Sequence, residues 1–326
     1  MKILLLRFSS IGDIVLTTPV IRCLKQQLPS TELHYLTKEN FKSILADNPY
    51  LDKIYTFSKS TDEIKSELKK EKYDLIIDLH KNIRTARLKV SLRRKSVSFN
   101  KINLEKWLTV KTGKKSFLPG KHIVDRYFDM LAGLNIKNDL KGLDYFISEN
   151  DYSELPGSLQ SGYIAFAIGA QFATKRMPEE KIISLLKQVQ HTVVLLGGKE
   201  DNETAEKVIS ALKDKTIFNY CGKLSLGRSA YLVSKANVVL THDTGLMHIA
   251  SAFKKPVVSV WGNTIPEFGM YPYMPGKEDL FSIHQVNHLK CRPCSKIGFQ
   301  KCPKKHFDCM MKQDEKEILL FLEKRF

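Results

Sequence analysis

The chain has 326 residues, of which 43% are hydrophobic and 27% charged, and its formal net charge is +17 at pH 7. It is long enough for two domains of ordinary size, and it has neither an apolar run long enough for a transmembrane helix nor an N-terminal apolar run long enough for a signal peptide. These features predict a cytoplasmic protein, and the positive charge favours a polyanionic partner such as nucleic acid, an anionic membrane surface or a phosphorylated substrate over a basic surface with no specific partner.

The first half of the chain alternates short apolar strands with helical segments. Strands are predicted at residues 3–8, 32–36, 54–57 and 73–79, and a charged amphipathic helix is predicted at 62–72. A regular alternation of strand and helix is typical of a parallel sheet that is covered by helices. We therefore predict an α/β fold for this half of the chain.

The turn after the first strand, Ser9–Asp13, leads into a helix and contains one glycine, Gly12. The fingerprint of an NAD-binding domain needs three glycines at such a turn, so the sequence argues against an ordinary dinucleotide-dependent oxidoreductase. Asp13 lies at the predicted helix N-terminus. It could cap the helix, where the dipole stabilises a carboxylate, or it could be a general base at the mouth of a cleft.

Residues 84–115 are strongly basic, with eleven lysines and arginines against one acid, Glu105. Apolar and aromatic residues, Phe99 and Trp107 among them, are interleaved with the cations. A solvated face is the ordinary interpretation of a charge run, but this interleaving is typical of a segment that docks at an interface. We predict that it contacts an anionic membrane surface or a phosphorylated glycolipid. We predict no nucleic acid as a partner, because no recognised nucleic-acid motif accompanies the segment.

A polar segment at 150–162 predicts a linker, and the α/β pattern then resumes. The strand at 163–168 runs into a loop with Thr174, Lys175 and Arg176, which could bind a phosphate or could be a solvent-exposed basic loop.

The strand at 193–198 ends in two glycines, and Glu200 follows. Its carboxylate could accept hydrogen bonds from ribose hydroxyls, although helix capping explains an acid at this position equally well. A further strand is predicted at 217–222 and a helix at 226–236.

A buried strand precedes the sequence Asp243–His248 (DTGLMH), which begins a helix of small residues. Gly245 lets the backbone approach a ligand, and the helix N-terminus offers free N–H groups and the positive end of its dipole to a phosphate. His248 projects from the same first turn as Thr244. The next strand ends in another polar turn at 261–264, so two adjacent strands deliver polar turns at their carboxyl ends, where open α/β sheets bind ligands. A capped helix after a strand is the ordinary alternative.

These segments together resemble the heptosyltransferase family, inverting glycosyltransferases that build the inner core of lipopolysaccharide from ADP-heptose. The resemblance spans nearly the whole chain and is specific for the family, but less specific for the sugar. It implies the GT-B architecture, in which two Rossmann-like domains with parallel sheets face a cleft. The segments that carry it are Arg7–Pro19, Asp78–Arg84, Lys175–Pro178, Lys223–Leu226, Asp243–His248 and Trp261–Thr264.

This sequence departs from the family pattern at a few positions inside those segments. His80 and Lys81 replace a glutamine and a glycine, Met177 replaces a tryptophan, and Asn263 replaces a proline. The charge of the matched segments is kept at all of these departures except the added lysine. The substitution at Met177 affects the expected packing rather than the expected charge.

The resemblance implies roles for individual residues. Asp13 is expected to deprotonate the acceptor hydroxyl, and a single direct displacement then inverts the anomeric carbon. Lys175 is expected to contact the diphosphate of the donor, and Asp243 the sugar hydroxyls. Because nucleotide release then depends on fixed cations and N–H groups, and no Asp-x-Asp pair suited to magnesium is present, no metal or other cofactor is predicted for catalysis. The further candidate contacts are Thr174, Arg176, Glu200, Leu224, Thr244, Gly245 and His248 for the donor, and Ser10, Gly12, His80 and Arg84 for the acceptor.

Four of the six cysteines lie close together near the C-terminus. Disulfides are disfavoured in a reducing cytoplasm, whereas four thiolates suit a closed tetrahedral zinc site. The spacing of the first pair is typical of zinc sites and that of the second is wider, so structural zinc, free or redox-sensitive thiols and disulfides all stay open. The four residues are Cys291, Cys294, Cys302 and Cys309.

We therefore predict three parts: an acceptor-binding Rossmann-like domain at 1–155, a nucleotide-sugar-binding Rossmann-like domain at 156–312, and a C-terminal helix at 313–326 that could pack back on the first domain. The predicted activity is transfer of a heptose or related sugar from ADP-heptose to a phosphorylated glycolipid of the lipopolysaccharide core, at the inner face of the inner membrane. The alternatives are a GT-B transferase with another sugar nucleotide and a non-catalytic basic lipid-binding protein.

Overall fold

The computed structural model describes residues 1–152 and 154–326 and divides into two compact units. Ser153, inside the predicted linker, lies outside the described residues. The first unit contains Met1–Lys101 and His122–Ser148, and the second contains Ile102–Lys121 and Glu149–Phe326. Each unit is built on one parallel sheet with helices, so the predicted α/β class is confirmed.

In the sheet of the first unit, the strand order reverses beside the first strand. Its strands are β1 (Lys2–Leu6), β2 (Glu32–Lys38), β3 (Lys53–Phe57), β4 (Leu75–Asp78) and β5 (Ser96–Ser98). All pair in parallel, in the spatial order β3-β2-β1-β4-β5. Central β1 is covered on both faces, and Ile3–Leu6 have no exposed surface. A strand buried on both faces needs an unbroken apolar run, which this strand has. The strand order reverses between β1 and β4, and ligands bind at the carboxyl ends of the strands at such a point.

The sheet of the second unit follows the same plan with one more strand. Its strands are β6 (Ile164–Ala167), β7 (Val193–Leu196), β8 (Ile217–Asn219), β9 (Val238–His242), β10 (Val257–Trp261) and β11 (Phe281–Gln285). All pair in parallel, in the order β11-β10-β9-β6-β7-β8. This is the doubly wound order of Rossmann-type sheets, and it reverses between β6 and β9.

The helices connect these strands and, with few exceptions, follow them in the chain. They are, in order, α1 (Ile11–Val15), α2 (Thr18–Gln27), α3 (Lys65–Lys70), α4 (Ile83–Leu92), α5 (Asn103–Thr112), α6 (Ile123–Leu131), α7 (Glu179–Gln188), α8 (Asn202–Ala211), α9 (Leu226–Lys235), α10 (Gly245–Ala252), α11 (Asp308–Met311) and α12 (Glu315–Glu323).

One segment from the first half of the chain is part of the second unit. Helix α5, which lies inside the predicted first domain, belongs to the second unit. There the ammonium of Lys106 lies 5.2 Å from the ring centre of Phe268, and Lys115 Nζ lies 2.5 Å from Glu267 Oε1. These contacts join residues far apart in the chain, so periodicity does not reveal them.

The C-terminal helix α12 belongs to the second unit and packs against α7 there. Glu315 at its first turn accepts a hydrogen bond from Ser184 of α7 at 3.0 Å and pairs with Lys181 at 2.6 Å. Its apolar residues Ile318 and Leu322 have no exposed surface and join the core of the second unit. Burial of this apolar stripe fixes the helix against α7. Among the described residues, no helix is both long and apolar enough to cross a lipid bilayer.

Candidate active site

Each sheet carries predicted site residues at its reversal point. In the first unit Asp13 follows β1 and His80 follows β4. In the second unit Lys175 follows β6 and Asp243 directly follows β9. The two ligand-binding positions that the strand orders predict are therefore both occupied by residues with ionisable side chains.

In the first unit, the Asp13 carboxylate is held by Arg7 and Ser10. Arg7 Nη2 lies 2.6 Å from Asp13 Oδ1, and the Ser10 hydroxyl donates to Asp13 Oδ2 at 2.8 Å. Arg7 itself is fixed by donation to the carbonyls of Ser9 at 2.8 Å and Leu79 at 2.6 Å. Burial alone would raise the pKa of Asp13, but the Arg7 charge and the Ser10 donors outweigh it and lower this pKa to about 2. Asp13 is thus ionised at neutral pH.

His80 lies beside this carboxylate as a neutral ring. Its imidazole packs on Phe8 with ring centres 5.0 Å apart, and Asp78 Oδ1 accepts from its backbone N–H at 3.0 Å. Burial, with the positive charges of Arg7 and Lys101, lowers the pKa of His80 to about 4. A neutral imidazole can donate one hydrogen bond and accept another, so His80 can bind a hydroxyl group.

The other predicted acceptor residues are Ser10, Gly12 and Arg84. The Ser10 hydroxyl donates to Asp13, and Gly12 is buried inside α1. Arg84 is exposed on the first turn of α4, which begins after the cap Asn82. The carboxyl edge of this unit therefore combines one ionised acid, one neutral histidine and one exposed cation.

In the second unit, Lys175 and Asp243 form an ion pair. Lys175 Nζ lies 2.6 Å from Asp243 Oδ2, and the Thr264 hydroxyl donates to the same oxygen at 3.0 Å. Their side chains are 17% and 12% exposed, so both are open to a ligand on one side. Three loops, after β6, β9 and β10, thus meet at one carboxylate.

Helix α10 begins beside this pair. Thr244 is its N-cap residue in an extended conformation, and no side chain caps its free N–H groups in the described structure. Thr244 and Gly245 are partly exposed, whereas His248 is only 2% exposed. The first turn of α10 can therefore offer backbone donors to an anion next to Lys175.

Thr174 and Arg176 lie in the same loop as Lys175, and the side chains of both are bound by other protein groups. The Thr174 hydroxyl donates to the Phe299 carbonyl at 3.0 Å and accepts from the Phe299 N–H at 2.8 Å. Arg176 donates to the Ala170 carbonyl at 2.7 Å and lies 3.2 Å from Asp201 Oδ1. Both side chains thus hold the loop that carries Lys175.

Glu200 and Leu224 lie after β7 and β8, at the same edge of the sheet. Gly198 and Gly222 leave room there: a Cβ at Gly198 would meet Glu200 Oε2 at 2.4 Å, and one at Gly222 would meet the Lys199 Cα at 2.7 Å. Glu200 is exposed and Leu224 is half-buried. This edge has room for a ribose and a flat base beside the loops that carry Lys175 and Asp243.

His242 holds the loop that carries Lys175 through a buried hydrogen bond. This residue is not identified by the sequence alone. It has no exposed surface, and its Nε2 accepts a hydrogen bond from the Met177 N–H at 3.0 Å. Burial lowers the pKa of His242 to about 3, so the ring is neutral and can accept. Arg7 and Thr264, also missed, lie inside recognised motifs, whereas nothing in the sequence pairs His242 with Met177.

The cysteine segment does not form a preassembled metal site. Cys291 Sγ lies 3.7 Å from His306 Nε2, and the Cys294 thiol donates to the Cys291 carbonyl at 2.8 Å. In the described part of the chain, the one cluster of three or more His, Cys, Asp or Glu side chains with ligand atoms within 4.8 Å of each other is Glu32, His34 and Glu71.

The chain matches a protein-family model and is similar to known proteins. A family model described as glycosyltransferase family 9 (heptosyltransferase) matches residues 62–300. Lipopolysaccharide heptosyltransferase 3 of Escherichia coli K12 is 27% identical over 307 residues, which covers 86% of this chain and 86% of that protein.

Two solved structures are similar along the whole chain. One is a glycosyl transferase of family 9 from Veillonella parvula, with a TM-score of 0.77 at 20% identity over 99% of this chain and 96% of the other. The other is the ADP-heptose heptosyltransferase II of Escherichia coli, with a TM-score of 0.74 at 19% identity over 100% and 98%. These similarities confirm the predicted GT-B fold class.

Proposed function

Because the chain belongs to glycosyltransferase family 9, the heptosyltransferase family, we propose that it transfers a heptose from ADP-heptose to a phosphorylated glycolipid acceptor of the lipopolysaccharide core. The observation that carries the proposal is the Lys175–Asp243–Thr264 cluster at the reversal point of the second sheet. A cation, a carboxylate and a helix N-terminus together match a sugar diphosphate.

The second unit is proposed to bind the donor. Lys175 and the backbone N–H groups of Thr244 and Gly245 would bind the diphosphate, while Asp243 would accept from the sugar hydroxyls. Glu200 would accept from the ribose, and the adenine would lie near Leu224. The leaving diphosphate gains negative charge in the transition state, so fixed positive groups lower the barrier more than they strengthen ground-state binding.

The first unit is proposed to activate the acceptor. As the acceptor oxygen attacks the anomeric carbon, its proton passes to the Asp13 carboxylate. The bond from that carbon to the diphosphate oxygen breaks, and its electron pair leaves with the nucleotide. Arg7 holds Asp13 ionised, and the attack on the face opposite the leaving group inverts the carbon. Ser10, Gly12, His80 and Arg84 would contact the acceptor and its phosphate.

We also propose that the protein acts as a peripheral protein of the inner face of the inner membrane. The structure supports a docking surface on the segment Ile102–Lys121, where Leu104, Trp107 and Phe117 are 65%, 49% and 39% exposed. Lysines 111, 114 and 115 beside them are exposed as well. Apolar side chains inside a basic surface suit an anionic bilayer.

A structural zinc ion at the four cysteines is a separate proposal. Burial raises the pKa of Cys309 to about 12 and that of Cys294 to about 11, and the neighbouring cysteines contribute to both shifts. Cys291 and Cys302 contribute to both of these shifts, so the four thiols lie near one another, and a cation would favour their thiolate forms. Side-chain rotation would be needed to bring the four sulfurs together. The proposed transfer does not use this ion.

Nucleotide titration tests the donor. Purified protein is titrated with ADP, GDP, UDP and NAD by calorimetry, and Lys175→Ala is compared with Lys187→Ala, which removes an exposed lysine from the end of α7. We expect selective binding of ADP that only Lys175→Ala weakens. Preference for UDP or GDP would keep the transferase and change its donor.

A second test separates catalysis from binding. Asp13→Ala should lose transfer activity by about two to four orders of magnitude and keep ADP affinity, since general-base catalysis contributes about that much. Full activity in this variant would refute the proposed base. Absence of any nucleotide binding would favour a non-catalytic lipid-binding protein.

A further inference from the structure

The cysteine segment (residues 291–309) is attached to the loop that carries Lys175 and to the loop whose Thr264 donates to Asp243. We call residues 172–177 the β6 loop and residues 262–264 the β10 loop. Phe299 makes three hydrogen bonds with Thr174 of the β6 loop: Thr174 N–H to the Phe299 carbonyl at 3.1 Å, the Thr174 hydroxyl to the same carbonyl at 3.0 Å, and Phe299 N–H to that hydroxyl at 2.8 Å. Cys294 N–H donates to the Asn263 carbonyl in the β10 loop at 3.1 Å.

The Arg292 side chain attaches the cysteine segment to the β10 loop through two hydrogen bonds. Its Nε donates to the Gly262 carbonyl at 2.5 Å and its Nη2 to the Thr264 carbonyl at 2.7 Å, so the guanidinium holds the β10 loop at both ends. Nη1 donates to the Val286 carbonyl at 3.3 Å. The side chain is 9% exposed, and burial lowers the pKa of Arg292 to about 10, which leaves it charged at neutral pH.

The β10 loop needs such support. Asn263, at its centre, is 1% exposed, and neither polar atom of its side-chain amide has a hydrogen-bond partner among the described residues. A buried amide without partners is destabilising, so the loop would otherwise favour a solvated arrangement. Charge-assisted hydrogen bonds from a rigid guanidinium are strong enough to oppose that cost.

The β10 loop also transmits its position to the donor residues. A Cβ on Gly262 would meet the Thr174 carbonyl oxygen at 2.5 Å, and Asn263 N–H donates to that carbonyl at 3.3 Å, so the two loops are in direct contact. At the other end, the Thr264 hydroxyl donates to Asp243. A shift of the β10 loop therefore moves both the loop that carries Lys175 and the carboxylate that pairs with it.

We propose that Arg292 is a positioning residue of the donor site. It clamps the β10 loop so that Thr264 fixes Asp243 and the β6 loop holds Lys175, without itself contacting the donor. This inference rests on the proposed role of the Lys175–Asp243 pair in donor binding. Its direct content, that Arg292 orders the two loops, does not depend on the identity of the nucleotide.

Two measurements on the full chain test the proposal. Arg292→Met removes the donors at similar size, Arg292→Lys keeps the charge but reaches fewer carbonyls, and Arg325→Met is the control. Arg325 also donates to a main-chain carbonyl in this unit, that of Asp279 at 2.6 Å. Hydrogen exchange is followed in peptides covering the β6 loop and residues 241–248, and ADP affinity is measured by calorimetry.

We expect faster exchange in both peptides and an ADP affinity at least about tenfold lower in Arg292→Met, an intermediate loss in Arg292→Lys, and no change in Arg325→Met. In transfer assays the KM for the donor should rise while the KM for the acceptor stays constant, which general destabilisation would not produce. Unchanged exchange and affinity in folded Arg292→Met would overturn the proposal.

The two measurements, hydrogen exchange and ADP affinity, test the role of Arg292 and the proposed donor separately. If the unaltered protein does not bind ADP, the donor proposal fails, and the exchange measurement still decides whether Arg292 orders the loops. If Arg292→Met does not fold, Arg292→Lys decides: exchange equal to that of the unaltered protein refutes the clamp.

Discussion

The Lys175 ammonium lies 2.6 Å from Asp243 Oδ2, so the two groups proposed for opposite ends of the sugar diphosphate neutralise each other in the free protein. A bound diphosphate competes with Asp243 for the ammonium. The carboxylate would then be free to accept from sugar hydroxyls. Donor binding therefore exchanges one ion pair for another instead of placing an anion beside an unpaired cation.

This exchange predicts opposite effects of the two partners on ADP. Asp243→Asn removes the competitor of the diphosphate, so ADP should bind as tightly as before or more tightly, whereas Lys175→Ala should weaken ADP by about tenfold or more. Transfer from the sugar nucleotide should fall in both variants. Calorimetry with ADP and a transfer assay check this. Weaker ADP binding in Asp243→Asn would show that Asp243 supports the nucleotide rather than the sugar.

The sequence singles out Lys175 and Asp243 as candidates but predicts neither their ion pair nor its surroundings. The motif residues Lys175 and Asp243 were recognisable because their loops follow apolar strands at the reversal of a doubly wound sheet. The bonds that place them come from His242, Thr264 and Phe299, and each is a contact between residues distant in the chain. Local patterns contain no signal for such pairings.

Other differences have similar physical causes. Strand β5 has three residues and β11 has no fully buried residue, so neither gives the apolar run that indicated the other strands. Thr174 was expected at the donor because a hydroxyl beside two cations is typical of phosphate loops, yet its hydroxyl bonds Phe299. The position of α5 in the second unit depends on Lys106 and Lys115, whose partners follow β10.

The pH dependence of activity should respond to Arg7. The pKa of Asp13 is about 2, below its ordinary value of 3.8, so its ionised form stabilises the fold by about 2 kcal/mol above pH 4, and this contribution is lost as the pH falls through 2. In Arg7→Met, burial is opposed only by the Ser10 donors, so the pKa of Asp13 rises from its value of about 2. The acidic limb of the kcat/KM profile should therefore move to higher pH.

Arg7→Lys is the matched variant for this profile, because it keeps the charge and loses the three separate donors that meet Asp13 and the carbonyls of Ser9 and Leu79. Its acidic limb should lie between those of Arg7→Met and the unaltered protein. The profile is measured from pH 2 to 9, with circular dichroism at each pH to confirm the folded state. An acidic limb at the same pH in all three proteins would exclude Asp13 as the group that Arg7 controls.

The cysteine segment should couple metal content to the donor site. If zinc binds, elemental analysis should find about one ion per chain, and Cys291→Ser or Cys294→Ser should remove it and weaken ADP binding, because both residues flank Arg292. Cys23→Ser, a buried cysteine of the first unit, is the control. Full zinc retention in Cys294→Ser would refute the four-cysteine site, and a metal-free protein with intact ADP affinity would refute the metal.

The exposed surface on Ile102–Lys121 should bind anionic bilayers. Trp107 is 49% exposed, and the exposed Lys111 and Lys114 follow it, so its ring can enter the interface while the lysines contact lipid phosphates. Flotation with phosphatidylglycerol vesicles should recover the protein, with less recovery in Trp107→Glu and at high salt, because the lysine contribution is screened. Leu320→Glu, which changes a 55% exposed apolar residue on α12, should float like the unaltered protein. Equal recovery of all three proteins would place membrane contact elsewhere on the chain, since the charge reversal at Trp107 is incompatible with an inserted ring.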